Sequence, residues 1–114
     1  METTVINCAT ESRKEQMGDV YIGRPSIWGN PFKIGTHGNR KMVILRYAKY
    51  LLEKPDILKL IPALRGKRLR CWCAPKPCHG DILETLANSG ASTSYALGKE
   101  LEKLIEEMEH EEQA

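Results

Sequence analysis

At 114 residues, with 41% hydrophobic and 28% charged positions, the chain is sized for one domain with an ordinary buried core and is not a disordered polymer. The longest apolar run, residues 42–45, is far too short to cross a membrane. The net charge of +2 hides an asymmetry: residues 99–114 hold seven Glu against two Lys, so this tail carries −5 and the rest of the chain +7. A basic body suits phosphate-bearing ligands or nucleic acid; a solvated surface carrying charges of both signs accounts for the same numbers equally well.

The first fifteen residues, METTVINCATESRKE, include no apolar core of signal-peptide length, and the expected location is the cytoplasm. Four cysteines could form two disulfides, but Cys71 and Cys73 alternate on one predicted strand and the core needs no staples, so reduced thiols are expected.

Residues 3–9 form a short β-prone run, read as the first strand and as a candidate for the middle of the sheet because its apolar residues do not alternate cleanly. Cys8 reads as a small buried apolar residue. A polar loop follows over 11–18, then a second short strand over 19–24 closed by Pro25. Residues 26–38, SIWGNPFKIGTHG, are dense in breakers, with Gly29, Asn30 and Pro31 in a tight turn between Trp28 and Phe32. Aromatics on such a turn can stack on a base, with Arg24 and Lys33 near for phosphate; plugging the end of the core is the alternative.

The first clear helix spans 39–54, capped by Asn39, with Val43, Ile44, Tyr47, Leu51 and Leu52 on its apolar face and Pro55 at its end. A shorter helical piece over 56–64 is interrupted at Pro62. Residues 67–86, KRLRCWCAPKPCHGDILETL, read as strand, stiff turn and helix: Leu69, Cys71 and Cys73 alternate with Arg70 and Trp72, prolines break the backbone, and Ile82, Leu83 and Leu86 share a helical face. Trp72, opposite the thiols, is expected in the core. A small-residue linker over 89–94 separates this α/β unit, 1–88, from an acidic amphipathic helix over 95–114. Its stripe of Leu97, Leu101, Leu104, Ile105 and Met108 must be buried, either against the body or in a homodimer. Its acidic face could also lie over the basic body and compete with an anion. His37 and His110 receive no role.

Ligands of α/β sheets usually lie at the carboxyl ends of the strands, where Cys73 and the pair Cys78-His79 fall. Three readings of that corner compete. In the first, Cys78 at a helix N-terminus has a lowered pKa and acts as nucleophile, His79 is a base or donor, the helix N–H groups hold an anion, and Asp81 is a general base or merely interacts with the helix end. In the second, Cys71, Cys73, Cys78 and His79 bind zinc, although C-x-C-x4-C-H is not a pair of C-x2-C knuckles. In the third, small thiols pack a strand while His79 bonds locally.

Two blocks, DVYIGRPSIWGNPFKIG (19–35) and LRGKRLRCWCAPKPCHGDIL (64–83), resemble the family named domain of unknown function 4326, widespread in phage and prokaryotic genomes. The resemblance runs from about residue 5 to 88 and leaves out the acidic helix. It implies a small Rossmann-like, three-layer α/β domain with a short, mostly parallel sheet, and it implies no established reaction. Its motif falls on Tyr21, Gly23, Arg24, Trp28, Gly29, Asn30, Pro31 and Phe32, and on Cys71, Trp72, Cys73, Pro75, Cys78, His79, Gly80 and Asp81. The second block is more loosely similar to the Cys-His-Arg segment of domain of unknown function 488; Gly80 stands here where that family has Arg, so that arginine's contacts do not carry over.

The resulting expectation is a binder of a nucleotide, nucleoside-like or other anionic small molecule, or an enzyme modifying nucleotides or nucleic acid. Cys78, His79 and Asp81 are then the catalytic set, and Tyr21, Arg24, Trp28, Asn30 and Cys73 the ligand contacts. No cofactor is required, with zinc as the alternative. A non-catalytic nucleic-acid-binding module and a dimeric regulatory or host-interaction protein are the competing functions.

Overall fold

In the computed structural model of the protein, β1 (Thr4–Asn7), β2 (Val20–Tyr21) and β3 (Arg68–Cys71) form a parallel sheet in the order β1-β3-β2. The structure describes residues 2–8, 18–73 and 76–113. Most of the polar loop expected over 11–18 lies outside the described residues, as do Ala74 and Pro75 of the turn. Parallel neighbours need a crossover, supplied between β2 and β3 by α1 (Arg40–Leu52), α2 (Pro55–Leu58) and a 3-10 turn (Ile61–Leu64).

The strand expected in the middle lies at an edge. β1 pairs with β3 alone, whereas β3 pairs with both others and sets Val5 and Val20 opposite Leu69. This side of the sheet is apolar and takes α3 (His79–Asn88), which approaches closely because Gly80 has no side chain: a Cβ there would sit 2.8 Å from Ile22 Cδ1 and 3.2 Å from Val5 Cγ1. A larger residue at that position would have to push aside the Ile22, Val5 and Cys78 side chains. Along β3 the alternate residues are Arg68 and Arg70, and Arg68 forks onto the buried Asp19 carboxylate at 2.9 and 2.8 Å.

α1 begins where Asn39 Oδ1 accepts the Met42 N–H and buries Val43, Ile44, Leu45, Tyr47, Ala48 and Leu51. The far end of the sheet is closed by Thr3, whose backbone exchanges hydrogen bonds with the Asn88 amide and whose hydroxyl reaches the Leu64 carbonyl. α4 (Ser94–Gln113) packs on α1, α2 and α3, burying Leu97 and Leu101 completely and Ile105 nearly so. The body of its own chain covers Leu97, Leu101 and Ile105 of the stripe, while Leu104 and Met108 are half-buried along a groove. None of the described helices is long and apolar enough to cross a membrane.

Candidate functional site

The carboxyl ends of β2 and β3 open on a cavity of about 440 Å³. Its walls come from the end of β2 (Tyr21) and the turn after it (Arg24, Asn30, Phe32, Lys33, Ile34), the start of α1 (Arg40, Val43, Ile44) and the β3–α3 corner (Cys71, Trp72, Cys73, Pro77, Cys78, His79). Arg24, Lys33 and Arg40 give it three cations, and no carboxylate stands among the described lining residues. Its volume lies within the range of small-molecule pockets, and its walls are mainly apolar with a few polar groups.

Two of the cations are held by backbone. Arg24 Nη1 donates to the Asn30 carbonyl at 3.1 Å and Arg40 Nη1 to the Pro77 carbonyl at 2.9 Å. Each bond uses part of a five-donor guanidinium and orients the rest. Asn30 holds its turn: Oδ1 accepts from Phe32 N–H at 2.9 Å and Nδ2 donates to the Val43 carbonyl at 3.1 Å, clamping the turn to α1. Tyr21 Oη donates to the Arg24 carbonyl and accepts from Trp72 Nε1–H, both at 3.2 Å, so an exposed indole is held in the cavity wall.

At the β3–α3 corner Cys78 is the N-cap of α3. Its Sγ accepts the Gly80 N–H at 3.3 Å, and Asp81 Oδ2 accepts the Cys78 N–H at 3.2 Å. The Cys78 thiol lies 3.7 Å from the Cys71 thiol and is 4% exposed. The bond to Cys71, then burial, push its pKa well up, so the sulfur stays protonated. The lowering expected at a helix start is opposed here by the neighbouring thiol and by burial. His79 is buried, edge-on to the Tyr47 ring at 4.9 Å, with Nε2 2.7 Å from the Ile22 carbonyl. Because a carbonyl only accepts, Nε2 carries the proton, and burial lowers the pKa, keeping the ring neutral.

A model of the family described as domain of unknown function (DUF4326) matches residues 6–89. The chain belongs to that family. It is 36% identical over 86 residues to the uncharacterized 12.4 kDa protein in the nrdA-td intergenic region of Enterobacteria phage T4, covering 71% of this chain and 78% of that protein. No solved structure matches the chain. Every cavity residue falls inside the DUF4326 region, and α4 begins beyond it.

Of the residues expected at a site, the fold brings Tyr21, Arg24, Asn30, Cys73, Cys78 and His79 around this cavity. Trp28 is not among its walls: it is 7% exposed in the core, and its carbonyl accepts the Tyr47 hydroxyl at 2.7 Å. The alternative reading of Trp28, a plug for the core, is the one the packing shows. Asp81 caps α3 and lines a neighbouring groove instead. The helix-start N–H groups expected to hold an anion are partly spent, with Cys78 N–H on Asp81 and Gly80 N–H on Cys78. Among the described residues no group of three or more His, Cys, Asp or Glu side chains is placed so as to hold a metal ion, the set Cys71, Cys73, Cys78 and His79 included.

Two wall residues escaped sequence reasoning. Trp72, expected in the core, is 63% exposed, because β3 stops at Cys71 and the strand alternation no longer applies one residue on. Arg40 looks in sequence like one more cation on the outside of α1; its position as the first helical residue, directly after the Asn39 cap, is the signal that turns it toward the neighbouring corner.

Proposed function

We propose that this cavity binds a nucleotide or nucleoside-like anion, that the β3–α3 unit makes the domain Rossmann-like in miniature, and that the protein works in the cytoplasm. The observation that carries the reading is the lining: three cations, three aromatic rings (Tyr21, Phe32, Trp72) and no described carboxylate around about 440 Å³ at the carboxyl edge of a parallel sheet. A phosphate would be held by Arg24, Lys33 and Arg40, two of them pre-oriented by backbone carbonyls. A base would stack on Trp72, which takes the place that sequence reasoning gave to Trp28. Four thiols suit a reducing compartment.

The proposal is for binding rather than nucleophilic catalysis. Cys78 is a buried, protonated cap, His79 spends Nε2 on a backbone carbonyl, and Asp81 faces another groove. Calorimetry with nucleoside monophosphates at low salt tests it. Arg24→Gln and Arg40→Gln should each weaken binding roughly ten-fold or more, the loss of a charge-assisted hydrogen bond, and the matching nucleosides should bind far more weakly than their phosphates. Absence of heat with every monophosphate, or variants that bind like the parent chain, would refute it.

A second reading is a single-stranded nucleic-acid module. It is favoured by exposed cations flanking the walls: Arg46 lies over the Phe32 ring at 5.7 Å and Lys76 directly precedes Pro77. That reading predicts affinity rising with strand length and falling steeply with salt.

A further inference from the structure

We propose that Cys71 and Cys78 are a reversible dithiol, closed to a disulfide by a small-molecule disulfide entering the cavity. The inference stands apart from the nucleotide reading, since it depends on the cavity floor and not on what the cationic wall holds. The two sulfurs are already in contact at 3.7 Å, one at the last residue of β3 and the other at the cap of α3. Both side chains lie along the cavity. The two thiols meet where a strand end, a helix start and the cavity coincide. The Cys78 backbone is extended, with φ −154° and ψ 177°, so the residue sits outside the helical turn that follows it.

The chemistry balances with oxidised glutathione as the partner. Cys78 gives up its proton and its sulfur attacks one glutathione sulfur, breaking that S–S bond and releasing one glutathione thiolate, which takes the proton. Cys71 then attacks the Cys78 sulfur of the mixed disulfide and releases the second glutathione, again with a proton. The protein loses two hydrogens and two electrons, and one oxidised glutathione becomes two reduced ones. Burial, which holds Cys78 protonated, makes the first step slow and leaves the half-buried Cys73 as the competing target. Closure ties the end of β3, directly before Trp72, to the start of α3, directly before His79, so oxidation fixes the spacing within this corner of the cavity.

The test uses the full chain and a Cys8→Ser, Cys73→Ser double variant, in which only Cys71 and Cys78 remain; both replaced residues are partly exposed. After incubation with oxidised glutathione, thiol titration and intact mass are read without reductant. The inference predicts that the double variant goes from two titratable thiols to none, as a monomer lighter by two hydrogens and without a glutathione adduct. Dithiothreitol should restore both thiols. In the parent chain, cleavage after Trp72 should leave the Cys71 peptide linked to the Cys78 peptide. Two thiols persisting in the double variant, a glutathione adduct as the end product, or a bond between chains would each overturn it.

Discussion

At Cys78 two effects oppose one another. The partial positive charge at a helix start lowers a thiol pKa, whereas burial and a second thiol at 3.7 Å raise it. The second pair wins because the side chain is 4% exposed, where a charge has almost no water to solvate it. Asp81 shows the same contest between chemistry and structure. Its carboxylate completes the cap by accepting the Cys78 N–H and does not line the cavity, so Asp81→Ala should cost about 1 kcal/mol of stability. Its affinity for any cavity ligand should stay at the parent value. Urea denaturation beside a binding titration checks both halves; an affinity loss with unchanged stability would return Asp81 to the site. What the linear sequence carried at these positions was residue type and local spacing, enough to mark Cys78, His79 and Asp81 as a helix start. It could not carry burial, which depends on Cys71 and Ile22 arriving from elsewhere in the chain, and burial decides the chemistry.

At the scale of elements, the helices were legible because their signals are local: Asn39 before α1, Pro55 after it, and an abrupt change from strand to helical spacing between Cys73 and Ile82. Strand order was not legible. β2 has two residues and β1 four, and nothing in such short runs says that β3 stands between them. Trp72 failed for a related reason, since a strand's end is set by the ladder it joins and not by its own alternation. α4 could be predicted as a helix but not assigned a partner until Leu97 and Leu101 were seen fully buried against the body. Leu101→Ala should therefore cost about 2–5 kcal/mol by urea denaturation, the range for emptying a core position. By contrast, Lys49→Ala should stay within about 1 kcal/mol of the parent, because its ion pair with Glu109 at 3.1 Å is half-exposed on both sides. A Leu101→Ala chain as stable as the parent would mean that α4 is not part of the folded unit.

Over the whole molecule, two motif blocks separated by 28 residues of sequence meet around one hollow. The first supplies a turn held by Asn30 and the second a corner held by the α3 cap, and Arg40 bridges them through the Pro77 carbonyl. The described part of the −5 tail runs along α1, α2 and α3, where Glu109 pairs with Lys49, and contributes no residue to the cavity walls. The cations thus stand without a described acidic neighbour in the cavity, as an anionic ligand would require. The central claim is that this hollow takes a base against Trp72 and a phosphate against the cations. Tryptophan emission titrated with a nucleoside monophosphate, in the parent chain and in Trp72→Phe, tests it most directly, because the other tryptophan, Trp28, is buried away from the walls. The account predicts saturable quenching in the parent that disappears in Trp72→Phe. Quenching that survives the substitution, or no change in the parent at any concentration, would contradict it.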